Sequence, residues 1–138
     1  VDEPGGDYWK NWEDHVRKHL LTRGYISEAD LSLFKVTDDV TEAAAEVLKF
    51  YRAFHSMRFV YDQLVLRLQR RPGPALMDRL NGDFRDILVD GTFDLSGPLE
   101  EEAGDDHLAD LPRLVFHFDR KGLGRLRQLI DTINDSAE

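Results

Sequence analysis

The chain has no cysteine. That excludes disulfides, thiol nucleophiles and thiolate-ligated metal, and it fits a reducing compartment, so a cytoplasmic protein is expected. No apolar run approaches the roughly 20 residues needed to cross a bilayer, and Val1 to Lys10 lacks the basic start and apolar stretch of a signal peptide. A soluble chain with no membrane partner is therefore expected. Cationic excess is missing too: 18 Lys and Arg stand against 27 Asp and Glu, a net charge of -9. Such a charge repels a phosphate backbone at long range and argues against a nucleic-acid partner. The acids are unevenly placed, because Glu100, Glu101, Glu102, Asp105, Asp106 and Asp110 share one segment without Lys or Arg. That segment reads as a solvated, mobile linker.

What remains is an ordinary globular composition, with 41% hydrophobic and 33% charged residues in 138. It is long enough for one domain of modest core, or for a domain fragment with a small companion. Pro4-Gly5-Gly6 forces a turn. Asp7 is placed to cap a helix running to Thr22, on which Tyr8, Trp12, Val16 and Leu20 recur every four residues. Gly24 ends it. Ser27 with Glu28 and Asp30 opens a short helix, and Leu33-Phe34-Lys35-Val36 reads as a short strand. A further helix is expected from about Val40 to His55, with Ala44, Val47, Leu48, Tyr51 and Phe54 on its buried stripe.

Near Arg58 the pattern changes. Leu64, Leu66 and Leu68 alternate with Val65, Arg67 and Gln69, the period of a strand with one buried face. Arg71-Pro72-Gly73-Pro74 breaks it. Leu76, Leu80, Phe84 and Ile87 then follow helical spacing, with Pro74 suited to a first helical position. Phe93 and Leu95 mark a short strand able to pair antiparallel with Leu114 to Phe118. Leu123, Leu126, Leu129, Ile130 and Ile133 mark a last helix. This order suits a small antiparallel sheet covered on one face by two helices, a ferredoxin-like or ACT-like module, with extended chain at Arg58 to Tyr61 available for a fourth strand. The fold class expected is α/β to α+β.

The run Val1-Asp2-Glu3-Pro4-Gly5-Gly6-Asp7-Tyr8-Trp9, a helix, Arg23-Gly24-Tyr25-Ile26-Ser27 and then Phe34-Lys35-Val36-Thr37-Asp38-Asp39 resembles the end of LOG-type (Lonely Guy) proteins, formerly labelled lysine decarboxylases. The likeness covers roughly Val1 to Phe54. Phe54-His55-Ser56-Met57-Arg58 with Leu64 to Leu68 is similar to the extra C-terminal region of longer bacterial members. The resemblance implies residues 1–57 as the C-terminal end of a Rossmann-like nucleotide-binding domain, followed by the ferredoxin-like module at 58–138. It also implies a homo-oligomer and a parent activity that hydrolyses the N-glycosidic bond of nucleoside 5'-monophosphates. The family's Pro-Gly-Gly-x-Gly-Thr-x-x-Glu stretch is not here, since Asp7-Tyr8-Trp9 follows Pro4-Gly5-Gly6. No catalytic residue carries over, and a nucleoside monophosphate would be bound only through a segment upstream of this one.

Other candidates are weighed residue by residue. His15 and His19 stand four apart on one helix face, a spacing that holds a divalent metal, but no third ligand is evident and no metal is expected. Gly122-Leu123-Gly124 with Arg120, Lys121 and Arg125 offers amides and positive charge to an anion, though two glycines are a weak motif. The acidic segment lacks the alternation and glycine of a calcium loop. Tyr8 and Trp12 suit packing, while Trp9 suits an interface. His55 and His117 are the histidines to which a small hydrolase would turn, yet no convergent set surrounds them. The expectation is a noncatalytic C-terminal portion without cofactor, whose partner is the upstream part of the same protein. The alternative is a standalone ACT-like module that binds a small metabolite.

Overall fold

The computed structural model describes residues 1–104 and 106–136, and of Asp106 the backbone alone. Asp105 of the acidic segment therefore lies outside the described residues. Helix α1 spans Tyr8–His15 and continues as a wider π turn over Val16–Leu21, closed by the Thr22 amide on the Arg17 carbonyl at 3.2 Å. A 3-10 helix covers Glu28–Leu33, and α2 spans Val40–Phe50. Strands β1 (Phe54–Val60) and β2 (Gln63–Leu68) precede α3 (Pro74–Asp83), a 3-10 turn at Arg85–Ile87 and β3 (Asp94–Ser96). Strand β4 (Arg113–Phe116) and helix α4 (Leu123–Asp135) follow.

The molecule is α+β, with a four-stranded antiparallel sheet in the order β1-β2-β4-β3. The fourth strand is β1, which starts at Phe54, four residues before the expected Arg58 to Tyr61 stretch, and ends at Val60. Strand β2 meets β4 with Leu66 opposite Leu114, and β4 meets β3 with Leu114 opposite Leu95. Because both pairings are antiparallel, β2 and β3 run parallel with β4 between them, and α3 makes the crossover. Leu64, Leu66, Leu68, Leu114 and Phe116 turn one face of the sheet to Leu80, Phe84 and Ile87 on one side and Leu126, Leu129, Ile130 and Ile133 of α4 on the other. All the buried residues of this principal core lie between Ala53 and Ile133.

The opposite sheet face is also covered, contrary to the one-sided reading of β2. Val60, Val65 and Val115 form a small cluster under Leu99, and beside them Arg67, Arg113 and Glu102 are buried. The chain from Ser96 to Arg113 reaches this face through a 3-10 turn at Glu100–Glu102. Its Glu102 corrects the expectation of a solvated linker: the carboxylate accepts from Arg67 Nε at 2.8 Å and Arg113 Nε at 3.1 Å, with no side-chain exposure.

Three local expectations also change. Helix α2 stops at Phe50, five residues early, because the amides of Ala53 and Phe54 are captured by Asn134 Oδ1 at 2.8 and 3.0 Å and turned into β1. Within α2 the expected stripe points outward, with Val47 and Leu48 58% and 75% exposed while Ala43, Glu46 and Phe50 are partly buried, and of that stripe Phe54 alone is buried, in β1. The stretch Leu33 to Val36 is not a strand. Leu33 ends the 3-10 helix, and Phe34 is extended but has no strand beside it among the described residues.

Candidate functional site

The first 52 residues fold into helices that own almost no interior, since only Val16 and Thr37 among them are buried. Their order comes from polar local contacts. Gly5 adopts φ +77, a conformation that favours glycine, and its amide donates to Asp38 Oδ2 at 3.0 Å. Asp2 does the capping expected of Asp7: its Oδ2 accepts from the Trp9 amide at 3.1 Å, whereas Asp7 makes no side-chain cap. A Cβ on Gly6 would come within 2.6 Å of that Asp2 carboxylate, so Pro4-Gly5-Gly6 is a turn shaped around Asp2. The Gly5 amide, with Lys10 at 3.6 Å, holds the Asp38 carboxyl below the usual range.

On this frame the Asp2 amide donates to the Thr37 carbonyl at 2.8 Å, laying Val1 to Glu3 beside Lys35 to Thr37. An aromatic chain flanks the two segments. Tyr8 meets Trp9 at 5.0 Å between centroids, Trp9 meets Trp12 at 5.8 Å, and Trp12 meets Phe34 at 4.9 Å, all edge to face. Tyr8 is 69% exposed and both tryptophans are 40% exposed. Val40, Val47, Leu48 and Tyr51 continue the exposed apolar side chains along α2. Of the two residues expected to pack, Trp12 lies against Phe34 with 40% of its surface exposed, and Tyr8 stands in solvent.

The first part is tied to the second by a narrower seam. Gly124 of α4 lies against the 3-10 helix so closely that a Cβ there would fall 2.3 Å from the Ala29 carbonyl carbon. Gln128 Nε2 donates to Ser32 Oγ at 3.0 Å, and Arg127 reaches Glu46 at 2.8 Å and Asp131 at 2.9 Å while lying over the Phe50 ring. Burial alone would raise the Glu46 carboxyl, but Lys35 and Arg127 beside it bring it below its ordinary value. Asn134 completes the seam by donating to the Phe50 carbonyl at 2.6 Å.

These contacts reassign the glycine pair. Gly122 touches Ile87 and Gly124 touches Ala29, so both serve close packing. The amides of Lys121 and Gly122 donate to Asp119 Oδ1 at 2.8 and 2.9 Å, which leaves them no vacancy for an external anion. Arg125 is held by Asp86 at 2.8 Å and lies over Phe84, and Arg120 donates to the Tyr61 carbonyl and covers Phe59. Hydrogen bonding from Arg125 holds the Asp86 carboxyl low.

The histidines stay apart. The His15 and His19 rings sit 4.7 Å from each other, and among the described residues no group of three metal-ligating side chains forms. His55 Nδ1 contacts Ser56 Oγ at 2.9 Å, while His117 Nδ1 contacts Asp90 Oδ1 at 3.0 Å. The Arg67, Glu102 and Arg113 cluster escaped the sequence reading because its members come from β2, a distant turn and β4, with only alternation to place them. Among the described residues no helix is long and apolar enough to cross a membrane. Comparison of the chain with protein-family models, with curated proteins and with solved structures finds no match.

Proposed function

We propose that this chain is a noncatalytic assembly portion of a LOG-type nucleotide-binding protein. In this reading residues 1–57 complete a Rossmann-like domain, and the sheet beyond them is a small regulatory or assembly module. One observation carries the reading: the helices of the first part present Tyr8, Trp9, Trp12, Val40, Val47, Leu48 and Tyr51 to solvent while burying only Val16 and Thr37. An apolar surface of that kind marks a place where other protein packs. The side-by-side segments at Val1 to Glu3 and Lys35 to Thr37 suit the margin of a parallel sheet, whose faces are ordinarily covered by helices. The occupant proposed is the upstream glycine-rich segment of the same protein, which would bring the nucleoside monophosphate.

The sheet supports the companion module. A crossover from β2 through α3 to β3 with β4 between is the split βαβ arrangement of ferredoxin-like folds, here preceded by β1 and closed by α4. Intact-mass and sequence analysis of the natural gene product tests the whole reading. A polypeptide longer than 138 residues carrying the glycine-rich motif is expected, and a mature product of 138 residues would defeat it. The isolated chain is also expected to release no free base from nucleoside monophosphates.

A further inference from the structure

A cavity of about 420 Å³ opens where β2 ends and α3 begins. Ala53, Leu76 and Ile133 give it an apolar part, and Arg70, Arg71 and Arg79 are also among its lining residues. Three cations around one hollow is an unusual concentration in a chain of net charge -9. No carboxylate is among the described lining residues. Arg71 has no ion pair among the described residues, and Arg79 has one, a single contact of 3.4 Å to Asp83 in which both side chains are more than half exposed. Arg70 also lines the cavity and has a partner of its own.

Why these residues gather is local. Pro72 is buried and anchors the turn, and Pro74 occupies the first position of α3, where its missing amide costs nothing. No side chain caps that helix, and Ala75 and Leu76 of its first turn line the cavity. The helix dipole adds its positive end to the guanidinium charge. The volume falls within the ordinary range for small-molecule sites, about 300 to 1,000 Å³, and an apolar floor with a few charged groups is their usual lining.

We infer that this cavity binds a small phosphate-bearing metabolite, its dianionic phosphate held between Arg71 and Arg79 and its body resting on Ala53, Leu76 and Ile133. Planar guanidinium groups present paired donors that match phosphate oxygens, and a dianion gains more from two cations than a singly charged carboxylate does. This site lies in the module with the sheet and does not depend on what covers α1 and α2.

The test uses the whole chain with pyrophosphate as probe, in a titration followed by amide and arginine side-chain NMR, against sodium chloride of matched ionic strength. Saturable shifts confined to Arg71, Gly73, Ala75, Leu76 and the Arg79 guanidinium are expected. The exposed double substitution Arg71→Gln with Arg79→Gln should weaken binding at least tenfold, while Arg17→Gln with Arg85→Gln should leave it unchanged. Shifts reproduced by chloride, or equal affinity in both double variants, would overturn the assignment. Should the first double variant fold poorly, Arg71→Gln alone is read in the same titration, with threefold or greater weakening expected and unchanged affinity counting against the site.

Discussion

Glu102 is a single carboxylate between two buried arginines, and its surroundings determine what its loss does. Burial acts to raise its pKa, but the Leu99 amide at 3.1 Å and the guanidiniums of Arg67 and Arg113 outweigh that and leave it below the ordinary 4.5. A carboxyl with a depressed folded pKa contributes stability that is complete above its unfolded pKa and is lost as pH falls through the folded value. Glu102→Gln leaves two buried cations without their anion, a loss of about 3 to 5 kcal/mol. Urea unfolding at neutral pH should show that loss, and below pH 4.5 the gap between variant and parent should narrow. An equal gap at every pH would show that the ionised form is not what matters. Asn134 is a second such residue, with its side chain accepting from two buried amides and donating to a third group. Asn134→Ala strands the Ala53 and Phe54 amides and should cost about 2 to 4 kcal/mol, seen as a lower unfolding midpoint.

At the scale of elements, Gly124 sets how closely α4 approaches the 3-10 helix Glu28–Leu33. Alanine there improves helix propensity by about 1 kcal/mol, yet its Cβ meets backbone atoms at 2.3 to 2.5 Å, and backbone cannot swing aside as a side-chain end can. Overpacking of this kind costs about 1 to 3 kcal/mol, so Gly124→Ala should lower the melting temperature despite the propensity gain. Faster hydrogen exchange at Glu28 to Leu33, with the sheet amides unchanged, should accompany it. Much of the element order was legible in advance. Alternation marked β2 and β4, Pro74 marked the start of α3, and the leucine spacing marked α4. Periodicity was silent about whether a neighbour exists. The apolar positions of α2 were correctly found at Val47 and Leu48 but wrongly placed inside, and Phe34 to Val36 has the composition of a strand without a strand to pair with among the described residues. Arg67 looked like part of a solvent face because a charge is read as exposed unless its distant partner is known. The two glycines near α4 suggested amides open to an anion, when their missing Cβ atoms were what the packing needed.

Across the whole molecule, two opposing surface properties decide how isolated chains behave toward one another. Tyr8, Trp9, Trp12, Val40, Val47, Leu48 and Tyr51 lie exposed over α1 and α2, and each large apolar side chain is worth about 1.5 to 3 kcal/mol when fully removed from water. Against this stands the net charge of -9, which makes like chains repel until salt shortens the range of the field to about 8 Å at physiological ionic strength. Association driven by apolar contact and opposed by charge must strengthen as salt is added, the reverse of an interface built on ion pairs. Light scattering on the isolated chain should therefore show a mass that rises with concentration and rises further with sodium chloride. Val47→Glu with Leu48→Lys adds one charge of each sign to exposed positions and should change stability by no more than about 0.5 kcal/mol for each substitution while abolishing the rise in mass. Hydrogen exchange gives the second readout, because amides of Tyr8 to Leu21 should gain protection only under conditions where the chain associates. A monomer at every concentration and salt, with those amides already uniformly protected, would mean that the first part is held by its own contacts and that its apolar surface needs no partner.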